Sequence, residues 1–183
     1  MVIIGIFILA LGTFVAILFN RLVRNRELMR EAWSGIDVQL KRRHDLIPNI
    51  IDTVKGYALH ESKVLEKLTE LRSKATKIPD GKEKSDLENN IAGALKTMFI
   101  LIEAYPDLKA DKSYLELQNN LIEIEDQLQL ARRYYNGTVR NYNILIQSFP
   151  SNIIARTFNY KEAVFFEIKY ATERKVPDVH FEN

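Results

Sequence analysis

The apolar positions of this chain fall into long helical stripes. Alternate steps of three and four residues from Trp33 meet Ile36, Leu40, Arg43, Ile47, Ile50, Val54, Tyr57, Glu61, Val64, Leu68, Leu71 and Ala75. That is a bundle-type or coiled-coil seam held over six heptads, charged only at Arg43 and Glu61 and followed closely after the arginine by Pro48. A second seam joins Leu87, Ile91, Leu95, Met98 and Ile102. A third runs through Tyr114, Leu117, Leu121, Ile124, Leu128, Ala131, Tyr135, Thr138, Tyr142, Leu145 and Phe149.

Polar punctuation sets the boundaries. Pro79-Asp80-Gly81 is a turn signal, and Tyr105-Pro106-Asp107 and Pro150 are stops. Ser85-Asp86-Leu87-Glu88 and Ser113-Tyr114-Leu115-Glu116 read as capping boxes, in which the serine takes a free first-turn amide and the glutamate reaches back. Residues 20–77 are the ambiguous stretch. As one helix they would extend about 85 Å, against about 30 Å for the helix of residues 85–105. A corner at Arg43–Asp45 is therefore expected, with Asp45 as N-cap and Pro48 in the first turn, and a proline kink as the alternative. Ser151 is expected to cap a short helix through Ile153, Ile154 and Ala155. The aromatic run Phe158, Tyr160, Phe165, Phe166 and Tyr170, with Ile168, should cover the bundle, and Val176, Val179 and Phe181 around Pro177 read as an extended tail.

Ahead of the seams, Met1 to Phe19 holds 16 apolar residues in 19, the others being Gly5, Gly12 and Thr13. As a helix this run is about 28 Å long, close to the roughly 30 Å hydrocarbon core of a bilayer. Nothing basic precedes it, and bulky Phe14–Phe19 stands where a signal peptidase would need small residues, so a retained anchor over 1–20 is expected. Arg21, Arg24, Arg26 and Arg30 follow at once. By the positive-inside rule the domain of residues 21–183 is expected on the cytoplasmic side, the extracytoplasmic side being the alternative.

Composition narrows the classes. With 183 residues, 7 Gly and 5 Pro, the chain suits one helical domain plus an anchor. A net charge of +2 from 26 bases and 24 acids makes no broad case for nucleic acid. Lacking cysteine, the chain has no disulfide, thiolate ligand or thiol nucleophile.

Candidate chemistry is sparse. His44, His60 and His180 fall in neither a di-iron nor a His-Glu-x-x-His pattern, and no phosphate-cradling glycine loop is present. Neither a catalytic site nor a cofactor nor a metal is expected. What stands out is polarity on or beside the seams: Arg42, Arg43, Asp45, Pro48, Asn49, Glu61, Arg132, Arg133, Asn136 and Asn143 are the candidate structural or partner-contact residues. Burying such groups unpaired costs several kcal/mol, so partners are expected, Arg43 pairing with an acid of Glu123–Asp126.

The run Glu31-Ala32-Trp33-Ser34-Gly35-Ile36-Asp37-Val38-Gln39-Leu40-Lys41-Arg42-Arg43-His44-Asp45-Leu46-Ile47-Pro48-Asn49 resembles the signature of the bacterial LemA family. So do Val54-Lys55-Gly56-Tyr57-Ala58, Glu103-Ala104-Tyr105-Pro106-Asp107-Leu108-Lys109, Ala131-Arg132-Arg133-Tyr134-Tyr135-Asn136, Val139-Arg140-Asn141-Tyr142-Asn143 and Phe149-Pro150-Ser151-Asn152. Two departures are Phe99-Ile100-Leu101-Ile102, bulkier than expected, and Asn159, where a glycine is common. The resemblance implies a single-pass membrane protein with a helical-bundle domain and no established activity. It also implies associations with membrane-stress metalloproteases and magnetosome membranes.

Together these readings predict an all-α fold: a transmembrane helix, then an up-and-down four-helix bundle with a short helix and an extended tail. The expected role is a non-enzymatic membrane scaffold or adaptor for an unidentified membrane-associated protein, with envelope or membrane stress as the setting. A regulatory subunit or sensor of a membrane protease, or a self-assembling homo-oligomer, are the alternatives.

Overall fold

A computed structural model describes residues 1–57 and 62–166. His60, Glu61 and the expected tail around Pro177 lie outside the described residues. The described residues are helical, with no strand among them. Helix α1 spans Val2–Lys55, α2 Ser62–Ala75, α3 Lys82–Ile102, α4 Pro106–Lys109, α5 Lys112–Gln147 and α6 Ser151–Thr157.

Packing divides these elements into two compact units. The first comprises Met1–Arg43 and Asn119–Phe165. Its buried side chains include Leu22, Ile36 and Leu40 from α1 and Leu121, Ile124, Leu128, Val139 and Tyr142 from α5. Trp33 meets Tyr135 edge to face, with ring centroids 5.1 Å apart. At one end Leu18, Leu22, Tyr142, Ile146, Ile154 and Ala155 form a cluster that joins α6 to both long helices. The second unit holds His44–Gln118, together with Phe166. It buries Ile47, Ile50 and Val54 from α1, Leu65 and Leu68 from α2, and Ile91, Leu95 and Met98 from α3. Each such side chain contributes roughly 1.5–3 kcal/mol on leaving water.

The expected corner at Arg43–Asp45 is absent. Helix α1 runs through it unbroken for 54 residues, about 80 Å. Lys41–Asp45 contains no glycine, and the buried positions continue in phase across it as Ile36, Leu40, Arg43, Ile47 and Ile50. Pro48 removes one amide from the helix, leaving the carbonyl four residues earlier, at His44, without its helical donor. Arg72 of α2 fills that place, its Nε–H donating to His44 O at 2.6 Å. The helix ends instead at Lys55, and the Tyr57 amide closes a turn on Val54 O at 3.0 Å. The length argument failed because α1 has no single neighbour along its length. Different stretches of it belong to different units, and its first 17 residues are exposed.

The capping boxes are also corrected. Helix α3 begins at Lys82 after Gly81, whose φ of 151° is a backbone conformation open to glycine, so Ser85 and Glu88 lie inside the helix and are buried. Helix α5 begins at Lys112. Its cap is Asp111, whose Oδ1 accepts the Tyr114 amide at 2.9 Å, in place of Ser113. Ser151 does not cap α6 either: its hydroxyl donates to Leu145 O and Ser148 O, closing the end of α5. In the second half of α5 the buried phase is Leu128, Arg132, Tyr135, Val139, Tyr142 and Ile146. Phe149 lies beyond the end of α5 at Gln147, in the turn before α6, and is 80% exposed, where the seam had placed it inside.

Helix α6 stops in a Schellman arrangement. The Tyr160 amide bonds Ala155 O at 2.9 Å and the Asn159 amide bonds Arg156 O at 3.1 Å. Asn159 itself takes a φ of 55°, which accounts for the glycine expected there by resemblance.

Candidate functional site

In the second unit, polar side chains converge on the α1 backbone that Pro48 modifies. Glu88 is three and seven residues before Ile91 and Leu95, so the apolar face of α3 carries it inward, where it is fully buried. His44 is buried as well, and its Nε2 lies 3.0 Å from Glu88 Oε1. The two side chains meet at close range, without an aligned hydrogen bond between them. Ser85 and Asn89 are buried on the same helix as Glu88. Between α2 and α3 lies an open groove of about 640 Å³, lined by Lys63, Val64, Lys67, Leu71, Asn89 and Gly93 among others. His44 and Glu88 are not part of that lining. The pair ties α1 to α3.

In the first unit, the α1 stretch before the division presents Arg42 and Arg43 to α5. Arg43 is fully buried, and its Nη1 donates to Glu125 Oε1 at 2.8 Å. Of Glu123–Asp126, it is thus Glu125 that receives Arg43. Arg42 stays exposed, bonded to Gln39 Oε1 at 3.2 Å, with Nη2 3.9 Å from Glu123 Oε1. Such an exposed contact is worth little.

Farther along α5, polar side chains hold the chain that follows α6. Asn143 donates its amide to Ala163 O and accepts the Ala163 amide, both at 2.9 Å. Tyr135 OH donates to Val164 O and Tyr142 OH to Lys161 O, each at 3.0 Å. Gln147 reaches Glu162 at 2.8 Å, and the Arg26 guanidinium sits 5.2 Å from the Tyr160 ring centroid. Burial pushes the Tyr142 phenol up, so its hydroxyl stays a donor. In the second unit, the Tyr57 hydroxyl donates to Asp111 at 3.1 Å. The amide of Tyr114, followed by the Tyr57 hydroxyl, holds the Asp111 carboxyl below its ordinary range. The same bond raises Tyr57.

The predicted residues therefore scatter. Arg42 and Arg43 meet α5 acids, and Asn143 meets the returning chain. Asn136 is half-buried and Arg132 buried, both engaged, whereas Asp45, Asn49 and Arg133 are exposed and Pro48 is half-buried. Glu61 lies outside the described residues. Sequence reasoning missed His44, Arg72, Glu88, Tyr135 and Tyr142. A signal existed for Glu88, which is in phase with Ile91 and Leu95 but was assigned to a cap. Among the described residues, no three His, Asp or Glu side chains gather as a metal site.

Helix α1 is also long and apolar enough to cross a membrane, and only 6% of its most apolar 18-residue window is buried, which sets it apart from a core helix. Residues 32–181 match the LemA family. A Protein LemA from Metamycoplasma hominis is 33% identical over 168 residues, covering 87% of this chain and 75% of that protein. Magnetosome protein MamQ 2 of Paramagnetospirillum magneticum is 22% identical, with 92% of this chain and 73% of the relative covered. For Magnetosome protein MamQ of Magnetospirillum gryphiswaldense the identity is 19%, with 94% and 74% covered. The run from Ala32 to Asn49, the α5 motifs and the exposed apolar start of α1 thus converge: this chain is a membrane-associated protein that belongs to the LemA family.

Proposed function

We propose that this protein is a single-pass membrane scaffold, without catalytic activity of its own, that presents the helical domain of residues 21–183 to a membrane-associated protein. One observation carries the reading. The apolar run passes without a break into a helix whose buried ionisable groups, Arg43 and His44, are engaged by Glu125 and Glu88. Those groups are committed to holding helices together, which is the economy of a structural part. Arg21, Arg24, Arg26 and Arg30 after the run support a cytoplasmic domain.

Proximity labelling from the C-terminus tests both halves of the proposal. Biotinylated cytoplasmic neighbours that are also recovered on membrane extraction support it. Labelling confined to the opposite side overturns the topology, and recovery of the chain alone overturns the adaptor role.

A further inference from the structure

We propose that the α5–α6 corner is a second membrane contact. Phe149, Ile153 and Phe158 enter the acyl boundary of the bilayer that α1 crosses, while Arg21, Arg24 and Arg156 meet lipid phosphates. This rests on reading the start of α1 as a membrane span.

Position is the first argument. The apolar run ends at Phe19 and the first charge is Arg21. The corner is fixed to those same residues. The Phe158 ring lies 4.8 Å from Phe19, and Ile154 and Ala155 share a cluster with Leu18 and Leu22. A groove of about 440 Å³ is lined by Leu18, Arg21, Asn25, Ile144, Ser148 and Phe149, among others. Whatever depth Leu18 and Phe19 take, the corner shares it.

The second argument is the surface presented there. Phe149, Ile153 and Phe158 are 80%, 57% and 56% exposed, while Ile154 and Ala155 on the inner side of α6 are buried. A short two-faced helix with large apolar side chains outward is the pattern of an interfacial element. Charge is the third argument. Residues 1–26 contain no Asp or Glu, and neither do residues 127–161, whereas Arg21, Arg24, Arg26, Arg140, Arg156 and Lys161 lie within them. Among the described residues neither Arg21 nor Arg24 has an ion-pair partner. A basic rim of Arg21, Arg24 and Arg156 around exposed aromatics complements phosphate headgroups over acyl chains.

The chain has no cysteine, so single labels can be placed without background. The full-length protein is reconstituted in nanodiscs of phosphatidylcholine and phosphatidylglycerol. Phe149→Cys, Ile153→Cys and Phe158→Cys each carry a nitroxide, with Phe7→Cys in the span and Leu130→Cys on α5 as references. Accessibility to oxygen relative to a water-soluble nickel chelate is read by electron paramagnetic resonance. The corner labels are expected to show an oxygen-to-nickel ratio several-fold above that of Leu130→Cys. Adding Arg24→Glu and Arg156→Glu should move the Ile153→Cys label several-fold toward nickel. Corner labels that match Leu130→Cys while Phe7→Cys stays in hydrocarbon overturn the inference and leave the span intact. A nickel-accessible Phe7→Cys label brings down the span reading and this contact with it. An unmoved Ile153→Cys label in the charge-reversed protein overturns the phosphate contact.

Discussion

The Nε–H of Arg72 is bonded to the carbonyl of His44, 2.6 Å away, at the position that Pro48 deprives of its own donor. An interior proline costs about 3 kcal/mol in an isolated helix, partly through the orphaned carbonyl. Arg72→Ala should therefore destabilise the protein by about 2 kcal/mol, the penalty for a hydrogen bond from a charged donor. Pro48→Ala restores the helical amide, so the loss from Arg72→Ala should be clearly smaller in that background. Thermal unfolding of both single variants and the double variant closes the cycle. Additive effects would show that the arginine and the proline are independent.

Arg43 and Glu125 respond unequally to truncation. Glu125→Ala leaves a fully buried guanidinium short of an acceptor and is expected to destabilise by about 2 kcal/mol. Arg43→Met removes the buried charge while filling most of the volume, and Glu125, 34% exposed, can turn to water, so the smaller loss is expected on this side. Chemical denaturation of the two variants checks the order. A methionine variant less stable than the alanine one would contradict it.

Asn143 is expected to govern exchange at a single amide. Asn143→Ala removes both bonds to Ala163, a loss of about 1–2 kcal/mol, and speeds deuteration of the Ala163 amide. Asn143→Asp keeps the acceptor and discards the donor, so that amide should remain protected. Equal protection in the wild type and the alanine variant would show that the clamp is idle.

Asp111 gives the α5 cap a pH dependence. Its folded-state pKa lies below the unfolded one, so its contribution is complete above the ordinary carboxylate range and lost as pH falls through the folded value. Asp111→Asn keeps an acceptor that does not titrate. The melting temperature of the wild type should exceed that of the variant at neutral pH, and the gap should close in acid. Tyr57, raised by the same bond, works at the other end: its contribution is complete below the ordinary phenol range and fades as pH rises through its folded value.

Period-based reading recovered most of the helices because apolar spacing and proline stops act locally. Pro79-Asp80-Gly81, Pro106 and Pro150 each stand near an observed boundary. The Arg43–acid pairing was also legible, since a charge on an apolar seam needs an opposite charge in reach. What failed was set by partners distant in sequence. Whether Pro48 breaks α1 depends on Arg72, 24 residues later, and whether Glu88 is a cap or a core residue depends on His44. Phe149 turns outward because α5 stops at Gln147, so helical spacing no longer sets its direction.

The chain beyond α6 is gripped by its peptide groups. Tyr135, Tyr142 and Asn143 bond the carbonyls of Val164, Lys161 and Ala163 and the amide of Ala163, whereas the side chains of Lys161 and Val164 point to solvent. At residues 161 and 164, recognition of this kind reads conformation and ignores spelling. Residues 161 and 164 are consequently open to tags, probes or natural drift, while a proline at 163, which has no amide to offer, would undo the clamp.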